Sequence, residues 1–288
     1  MWLNKVRCDS VVEKKCGRKI CVLVFCLIVS LELFGCKYSR MLDGRPVYGV
    51  FLSLGPSDMA KIAEYQTVVI DAQYFSKKDI AYLKAQGCTV YSYINIGALE
   101  NFREYYNTYS KLTLGNYENW EEEQWIDVSS AKWQQFLVSL EKKLLDKGID
   151  GFFVDNCDVY YEYPTEAIFE GITTILEHLM EYHKPVIING GDTYIMRYQQ
   201  FCGSLIHIMT GVNQETVWSK INFDTGRFSA QTKSERNYFQ NYIEMCDSYG
   251  LDVYLLEYTT DNRLKQKIEK YCAKNKFQYY ISDSIELD

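Results

Sequence analysis

Two carboxylates follow short apolar segments in this 288-residue chain and could carry out acid–base chemistry together. Asp155 closes the apolar run that begins at Gly151, and Glu215 lies just past another run at 205–210. Hydrolysis of a glycosidic bond needs one carboxylic acid to protonate the leaving oxygen and a second carboxylate to act as nucleophile or base. Asp155 and Glu215 are therefore the candidate catalytic residues, and this chemistry requires no cofactor.

Other polar side chains stand at similar positions and indicate a pocket for a polar ligand. Asp71, Asn189 and Glu257 lie at the ends of apolar runs, and Tyr93 lies within one. A single acid at such a position more often caps a helix or pairs with Lys or Arg. A whole ring of acids, amides and aromatic residues instead favours a binding site. The other members of this ring are Asn95, Asn156, Asp283, Tyr160, Tyr161, Trp218 and Tyr258.

Eight short apolar runs, separated by amphipathic segments, must position these residues. Nearly continuous apolar strands are typical of a parallel sheet that is buried on both faces, and alternation with helices indicates βαβ units. We predict an α/β fold, a single (β/α)8 TIM barrel, whose chemistry gathers at the C-terminal ends of the strands. The long segment 97–129 would hold loops over the barrel mouth. The predicted strands are 47–52, 67–71, 89–96, 151–156, 185–189, 205–210, 252–257 and 277–282.

One predicted helix shows the amphipathic pattern clearly. Ser129 or Ser130 can cap its start, an apolar stripe runs from Trp133 to Leu144, and Gly148 can end it with a positive φ. Glu141 and the two lysines after it are expected to face water.

The first forty residues read as an export signal. Basic residues up to Lys19 precede an apolar run at 20–31, which is too short for a comfortable membrane span of about 20 residues. The run closes with Leu33-Phe34-Gly35-Cys36, which is similar to a bacterial lipobox with Cys36 as the lipidation site. We expect a signal peptide at 1–36, a tether at 37–45 and the barrel domain at 46–288. The protein would be exported and either lipid-anchored to the cell membrane or secreted; an uncleaved leader that acts as the anchor is the third alternative.

Composition narrows the possible partners. The formal net charge is −7 and the mature part has no basic patch, so no nucleic-acid partner is expected. The three histidines show no metal-ligand spacing, and no metal site is expected. Five cysteines follow the leader without a CxxC pair, so the sequence implies no complete disulfide framework. Cys157 could be a nucleophile or a buried packing thiol. The protein is expected to be a monomer.

Five motifs follow one another along the chain. They are Tyr91-Ser92-Tyr93-Ile94-Asn95-Ile96-Gly97-Ala98-Leu99-Glu100 with Arg103 and Tyr105, Trp125-Ile126-Asp127-Val128 with Trp133, Gly148-Ile149-Asp150-Gly151-Phe152-Phe153-Val154-Asp155, Ile188-Asn189-Gly190-Gly191 and Asn213-Gln214-Glu215. Taken in series, they resemble glycoside hydrolase family 114. The resemblance implies a TIM barrel that acts as an endo-α-1,4-polygalactosaminidase, with the acidic pair at Asp155 and Glu215.

The substrate implied by this resemblance is a galactosamine polymer, which is cationic when it is deacetylated and so suits an acidic chain. Asp71, Asp127 and Glu257 would then be candidates for holding ammonium or hydroxyl groups. Many members of the family that this chain resembles carry Gly-Glu-Ala-Glu after the third strand. The corresponding segment here, Gly97-Ala98-Leu99-Glu100, keeps only the second of those two acids. The main alternative is a non-catalytic, carbohydrate-binding surface lipoprotein on a degenerate barrel. A metal-dependent hydrolase or deacetylase is disfavoured by the lack of clustered histidines.

Overall fold

The computed structural model describes residues 44–288, of which 46–288 form one compact unit. This part of the chain contains thirteen strands. In chain order they are β1 (Tyr48–Phe51), β2 (Thr67–Ile70), β3 (Thr89–Asn95), β4 (Ala98–Glu100), β5 (Thr113–Asn116), β6 (Glu123–Ile126), β7 (Gly151–Asp155), β8 (Val186–Asn189), β9 (Gly211–Glu215), β10 (Ser219–Asn222), β11 (Arg227–Ala230), β12 (Asp252–Tyr258) and β13 (Gln278–Ser282).

Eight of the strands form the predicted barrel. Their order is β1-β2-β3-β7-β8-β9-β12-β13, all neighbouring pairs are parallel, and β13 returns next to β1 so that the sheet nearly closes. Strands β1, β2 and β8 are buried at every position because helices cover one face and the barrel interior the other. The fold expected from the sequence is confirmed.

The sixth barrel strand lies later in the chain than predicted. Residues 205–210 form a turn, and the strand is β9, Gly211–Glu215. The run at 205–210 is apolar because Leu205, Ile208 and Met209 are buried in the core, not because it is a strand. This correction places Glu215 at the last position of β9, as Asp155 is at the last position of β7.

Nine helices surround the barrel in the described residues. They are α1 (Met59–Ile62), α2 (Lys77–Ala85), α3 (Tyr106–Tyr109), α4 (Ala131–Lys147), α5 (Val159–Glu162), α6 (Glu166–Glu181), α7 (Asp192–Cys202), α8 (Lys233–Ser248) and α9 (Asn262–Asn275), with 3-10 turns at Pro56–Asp58 and Ser110–Leu112.

Helix α4 follows its predicted boundaries but not all of its predicted exposure. Ser130 is its N-terminal flanking residue, and Gly148 ends it with φ 98°. Glu141 does not face water: it is buried, and His178 Nδ1 on α6 lies 2.7 Å from its Oε2. The neighbouring helix supplies the polar partner that a buried carboxylate needs, which a single-helix pattern could not show.

Two small sheets stand beside the barrel mouth. Strands β4, β6 and β5 form an antiparallel sheet within the long segment after the third barrel strand. Strands β10 and β11 form a hairpin directly after the sixth. Both insertions follow the C-terminal ends of barrel strands, where loops build the site of this fold.

The predicted signal peptide, the lipidation site Cys36 and most of the tether lie outside the described residues. Within residues 44–288, no helix is long and apolar enough to cross a membrane. The five cysteines in this part are all free, and only Cys202 is exposed.

Candidate active site

One asparagine joins the two candidate catalytic carboxylates. Asn189, at the end of β8, lies between the strands that carry Asp155 and Glu215. Its Nδ2 donates to Asp155 Oδ1 at 2.9 Å and to Glu215 Oε1 at 2.8 Å. A shared donor limits the separation of these two oxygens to the sum of the distances, about 5.7 Å. The pair therefore faces one point at the barrel mouth.

A chain of hydrogen bonds orients this asparagine. Tyr48 Oη donates to Asn213 Oδ1 at 3.1 Å, and Asn213 Nδ2 donates to Asn189 Oδ1 at 2.7 Å. Because the amide oxygen of Asn189 is already engaged, its Nδ2 must point towards the carboxylates. Tyr258 Oη donates to Glu215 Oε2 at 2.8 Å and fixes the second oxygen of that carboxylate.

The backbone is unusual directly after both carboxylates. Asn156 has φ 67° and Thr216 has φ 55°, although neither is glycine. Such conformations are sparsely populated and turn the chain sharply at the strand ends. Asn156 N also donates to Asp155 Oδ1 at 3.0 Å. The approach of Gly97 to this turn leaves no room for a side chain, since a Cβ there would lie 1.8 Å from Asn156 O.

The pair opens into a cavity of about 1030 Å³. This volume is at the upper end of the ~300–1,000 Å³ common for small-molecule sites, which suits a ligand longer than one sugar. Among the described residues that line it, nine carry a carboxyl group and one, Arg103, carries a positive charge. The nine are Asp71, Glu100, Glu122, Glu123, Asp155, Asp158, Asp192, Glu215 and Glu286.

Arg103 is occupied by two of these carboxylates. Its Nη1 donates to Asp71 Oδ2 at 2.6 Å, and its Nε donates to Glu100 Oε2 at 2.5 Å. All three side chains are 5% exposed, so the group is a buried ion-pair network. Among the described residues that line the cavity, no second cationic side chain is present to pair with the remaining acids. The cavity is therefore acidic overall.

Burial raises the pKa values of several acids in the cavity. Burial and then the negative charge of Glu215 raise the pKa of Asp155 to about 6. Burial also raises the pKa of Glu215, against the lowering effect of the hydrogen bonds from Asn189 and Tyr258. Since the two groups interact, they titrate as a pair in which one proton is held more tightly. One carboxyl group of the pair can therefore stay protonated to a higher pH than the other.

Two further acids keep protons to higher pH. Burial and then the charges of Glu100 and Asp155 raise the pKa of Glu123 to about 8. Burial and then the charges of Asp192 and Asp155 raise the pKa of Asp158 to about 7. A bound cation would favour the ionised form of both groups.

The structure brings together part of the predicted site. Asp71, Tyr93 and Asn189 line the cavity with the catalytic candidates. Asp71 is neutralised by Arg103, and Tyr93 Oη donates to Glu100 Oε1 at 3.3 Å. Asn189 positions the two carboxylates as well as facing the cavity.

Asp127 and Glu257 do not line the cavity, contrary to the sequence prediction. Asp127 Oδ1 accepts from Ser129 N at 3.0 Å and from Ser129 Oγ at 2.5 Å, which shapes the turn before α4. Glu257 is completely buried and accepts from Trp218 N, Ser219 N and Ser219 Oγ, and burial raises its pKa to about 7. It thereby fastens the start of β10. Both carboxylates satisfy local backbone donors instead of facing a ligand.

The aromatic part of the site also differs from the prediction. Tyr93 and Tyr258 line the cavity, whereas Tyr160, Tyr161 and Trp218 lie outside it. The aromatic residues that sequence reasoning missed are Tyr74, Phe102, Tyr117, Trp120, Phe223 and Phe239. Several of them belong to the inserted segments. The aromatic residues within the long segment 97–129, which was expected to cover the barrel mouth, could have indicated that this segment lines the site.

The described residues hold no group of three or more His, Cys, Asp or Glu arranged to bind a metal ion. Cys157 is buried, and burial raises the pKa of its thiol. The Cβ of Cys157 would lie 2.9 Å from a Cβ at Gly191, so it packs tightly beneath the loop after β8. These contacts are those of a packing thiol.

Two facing carboxylates at the C-terminal mouth of a (β/α)8 barrel, in an acidic cavity, define a glycosidase-type site. The model of the glycoside-hydrolase family GH114 matches residues 50–188. The match confirms the resemblance to this family predicted from the motifs, and together with the fold and the site it classes the chain as a glycosidase. No curated protein sequence matched the chain.

Three solved structures share the fold of this chain. The glycoside hydrolase domain of PelA from Pseudomonas aeruginosa superposes with a TM-score of 0.71 at 16% identity, covering 85% of this chain and 96% of that domain. Aspergillus fumigatus Ega3, in complex with galactosamine, gives 0.64 at 16% identity, covering 85% and 92%. TtGalA, an alpha-galactosidase from Thermus thermophilus, gives 0.54 at 10% identity, covering 83% and 58%. At these identities the similarity shows the fold alone.

Proposed function

We propose that this protein is an endo-acting glycosidase that cleaves an α-1,4-linked, galactosamine-containing polysaccharide. The observation that carries the proposal is the Asp155–Asn189–Glu215 arrangement inside an acidic cavity. Two solved structures of similar fold support the choice of sugar: Ega3 was crystallised in complex with galactosamine, and TtGalA is an alpha-galactosidase.

The charge of the cavity favours a deacetylated, cationic polymer. Its single arginine is consumed by Asp71 and Glu100, so the other lining carboxyl groups face the ligand without a protein cation. Ammonium groups of the sugar would replace that missing charge through charge-assisted hydrogen bonds. Because burial raises the pKa of Glu123 to about 8 and of Asp158 to about 7, binding of a cation should release protons near neutral pH.

We further propose a retaining mechanism. Retaining glycosidases hold their carboxyl groups about 5–5.5 Å apart, whereas inverting enzymes separate them by roughly 6.5–9.5 Å to admit a water. The shared Asn189 donor limits the facing oxygens of Asp155 and Glu215 to about 5.7 Å. One carboxylate attacks the anomeric carbon while the other protonates the leaving oxygen. Water then hydrolyses the glycosyl ester, with the second group acting as base.

The deciding experiment measures reducing ends released from a panel of α- and β-linked amino-sugar polymers. The wild-type protein should cleave the galactosamine polymer, and Asp155→Asn and Glu215→Gln should each lose at least ~10²–10⁴-fold in rate while remaining folded. NMR of the first product should show the α-anomer. Azide should rescue the variant of the acid/base residue by forming a glycosyl azide of retained configuration and the variant of the nucleophile by forming one of inverted configuration, which assigns the two roles.

Other results would point elsewhere. Unchanged turnover in either variant would remove that residue from the mechanism, and a β-anomer as first product would refute retention. A folded wild-type protein that binds the polymer without cleaving it would favour the carbohydrate-binding lipoprotein.

We also propose that Cys36 carries a lipid and anchors the exported protein to the cell membrane, because 33–36 resembles a lipobox after an apolar run. Cys36→Ala should move the protein out of the membrane fraction. If the variant stays in that fraction, the lipid anchor is not what holds it.

A further inference from the structure

Two inserted segments meet above the cavity through one aromatic contact. Trp120 lies in the turn between β5 and β6, and Phe223 follows β10 at the tip of the β10–β11 hairpin. Their ring centroids are 6.0 Å apart with an interplanar angle of 74°. The segments follow barrel strands β3 and β9, which lie three positions apart around the barrel. The contact therefore spans the mouth from one side to another.

The first segment is fastened beside Asp155. Glu123, at the start of β6, accepts from Asn95 Nδ2 at 3.1 Å and from Asn156 Nδ2 at 3.2 Å. Asn156 is the residue directly after Asp155. The turn that carries Trp120 is thus held at a fixed place relative to one catalytic candidate.

The second segment is fastened beside Glu215. Phe228 on β11 packs against Tyr258 with ring centroids 5.9 Å apart, and Tyr258 Oη donates to Glu215 Oε2. Glu257 anchors the start of the same hairpin through Ser219. The two aromatic tips are therefore each connected to one half of the catalytic pair.

The rings at the tips are available to a ligand. Phe223 is 42% exposed although it contacts Trp120, because an edge-to-face contact leaves ring faces uncovered. Both residues line the cavity. The other tryptophans of the described residues do not: Trp125 and Trp133 are buried, and Arg236 covers the ring of Trp218 at 5.1 Å.

We propose that Trp120 and Phe223 form a distal subsite that binds an amino-sugar unit of the polymer away from the scissile bond. The apolar face of a sugar ring suits an aromatic face, and tryptophan is the best partner for an ammonium group through cation–π attraction. Glu122, two residues after Trp120 in the chain, also lines the cavity, and its carboxylate adds attraction for the same cation. The proposal rests on the proposed function and names the residues that select a long, deacetylated chain.

A distal subsite predicts an effect that grows with ligand length. Trp120→Ala should weaken binding of long galactosamine oligomers by about 5- to 30-fold, and Trp120→Phe should lose less because it keeps an aromatic face. The loss should be smaller for N-acetylated oligomers, which lack the ammonium charge, and for disaccharides, which need not reach the subsite. Phe223→Ala should also weaken binding most for long deacetylated oligomers and less for N-acetylated oligomers and for disaccharides.

The test is calorimetric titration of oligomers of graded length into these variants, each made in an Asp155→Asn background that binds without cleaving. Phe201→Ala is the matched control, since Phe201 is 72% exposed and lies outside the cavity. It should bind every oligomer like the background protein. Polymer KM, but not kcat, should rise when the same substitutions are made in the active enzyme.

The outcomes separate this proposal from the proposed function. A Trp120→Ala loss that is equal for all lengths, or no loss, overturns the subsite even if the wild-type enzyme cleaves the polymer. Length-dependent binding with no cleavage by the wild type refutes the glycosidase proposal and leaves the subsite standing. If no oligomer in the panel binds the background protein, both proposals are overturned.

Discussion

Replacement of Asn189 by alanine tests the reasoning about the site most directly. The substitution removes the amide that donates to Asp155 Oδ1 at 2.9 Å and to Glu215 Oε1 at 2.8 Å, while both carboxyl groups remain in place. If Asn189 only bound substrate, its loss would chiefly raise KM. If it positions the pair, its loss should lower kcat and change the pH dependence.

The size of the effect follows from the charge state of the pair. In the reactive state one carboxyl group is ionised and the other is protonated, so the amide makes one charge-assisted hydrogen bond, worth ~1.5–3 kcal/mol. Its loss from the reactive state corresponds to a fall of about 10- to 150-fold in kcat. The bond from Asn189 also lowers the pKa values of both Asp155 and Glu215.

The pH profile supplies a second, independent readout. Without the amide, the pKa of Asp155 should rise above its value of about 6, because the ionised form loses a donor. A higher pH is then needed to ionise the pair once, and the acidic limb of kcat/KM should move upwards. We expect this limb to move by about one to two pH units, since a bond worth ~1.5–3 kcal/mol is divided by 1.36 kcal/mol per pKa unit.

The assay is initial-rate hydrolysis of the galactosamine polymer between pH 4 and 9, with urea unfolding to show that the variant is folded. Asn275→Ala is the matched control, because Asn275 Nδ2 bonds only a helix carbonyl, Tyr271 O, outside the cavity. A variant Asn189→Ala with kcat within threefold of the wild type and an unmoved acidic limb would refute the positioning role.

Three other substitutions probe the frame around the pair. Arg103→Leu leaves two buried carboxylates without their cation and should destabilise the fold by ~3–5 kcal/mol in urea unfolding at pH 7. The loss should be smaller at low pH, where Glu100, whose pKa is raised by burial, is protonated. Gly97→Ala places a Cβ 1.8 Å from Asn156 O, so calorimetry should show a lower Tm and rates should fall more than Tm explains. Glu123→Gln should remove a pH dependence of the free energy of unfolding. Because the pKa of Glu123 is raised from 4.5 to about 8 in the folded state, wild-type stability falls as pH rises through this window. The variant should therefore gain stability relative to the wild type between these pH values. Equal slopes in the two proteins would show that Glu123 does not carry this dependence.

Local patterns in the sequence determined the frame of this protein. Continuous apolar runs predicted barrel strands because both faces of a parallel strand are buried, and Asp155 was correctly placed at a strand end. The strand prediction was wrong for 205–210, where buried apolar residues occupy a turn. Over six residues, a buried turn and a buried strand can have the same apolar composition. Glu215 nevertheless reached the mouth, because the strand that follows ends at this residue.

Only the tertiary structure decided how the polar groups pair. Asn189 joins the two carboxylates because β8 lies between β7 and β9, and Glu257 instead accepts from backbone donors at the start of the preceding β10–β11 hairpin. The aromatic contact over the mouth joins segments about a hundred residues apart in the chain. Hydrophobic periodicity encodes which side of an element faces the core, but it does not encode which buried donor a carboxylate will meet. That choice is made by strand order and loop geometry, so the reactive pair was visible in the sequence and the environment that tunes it was not.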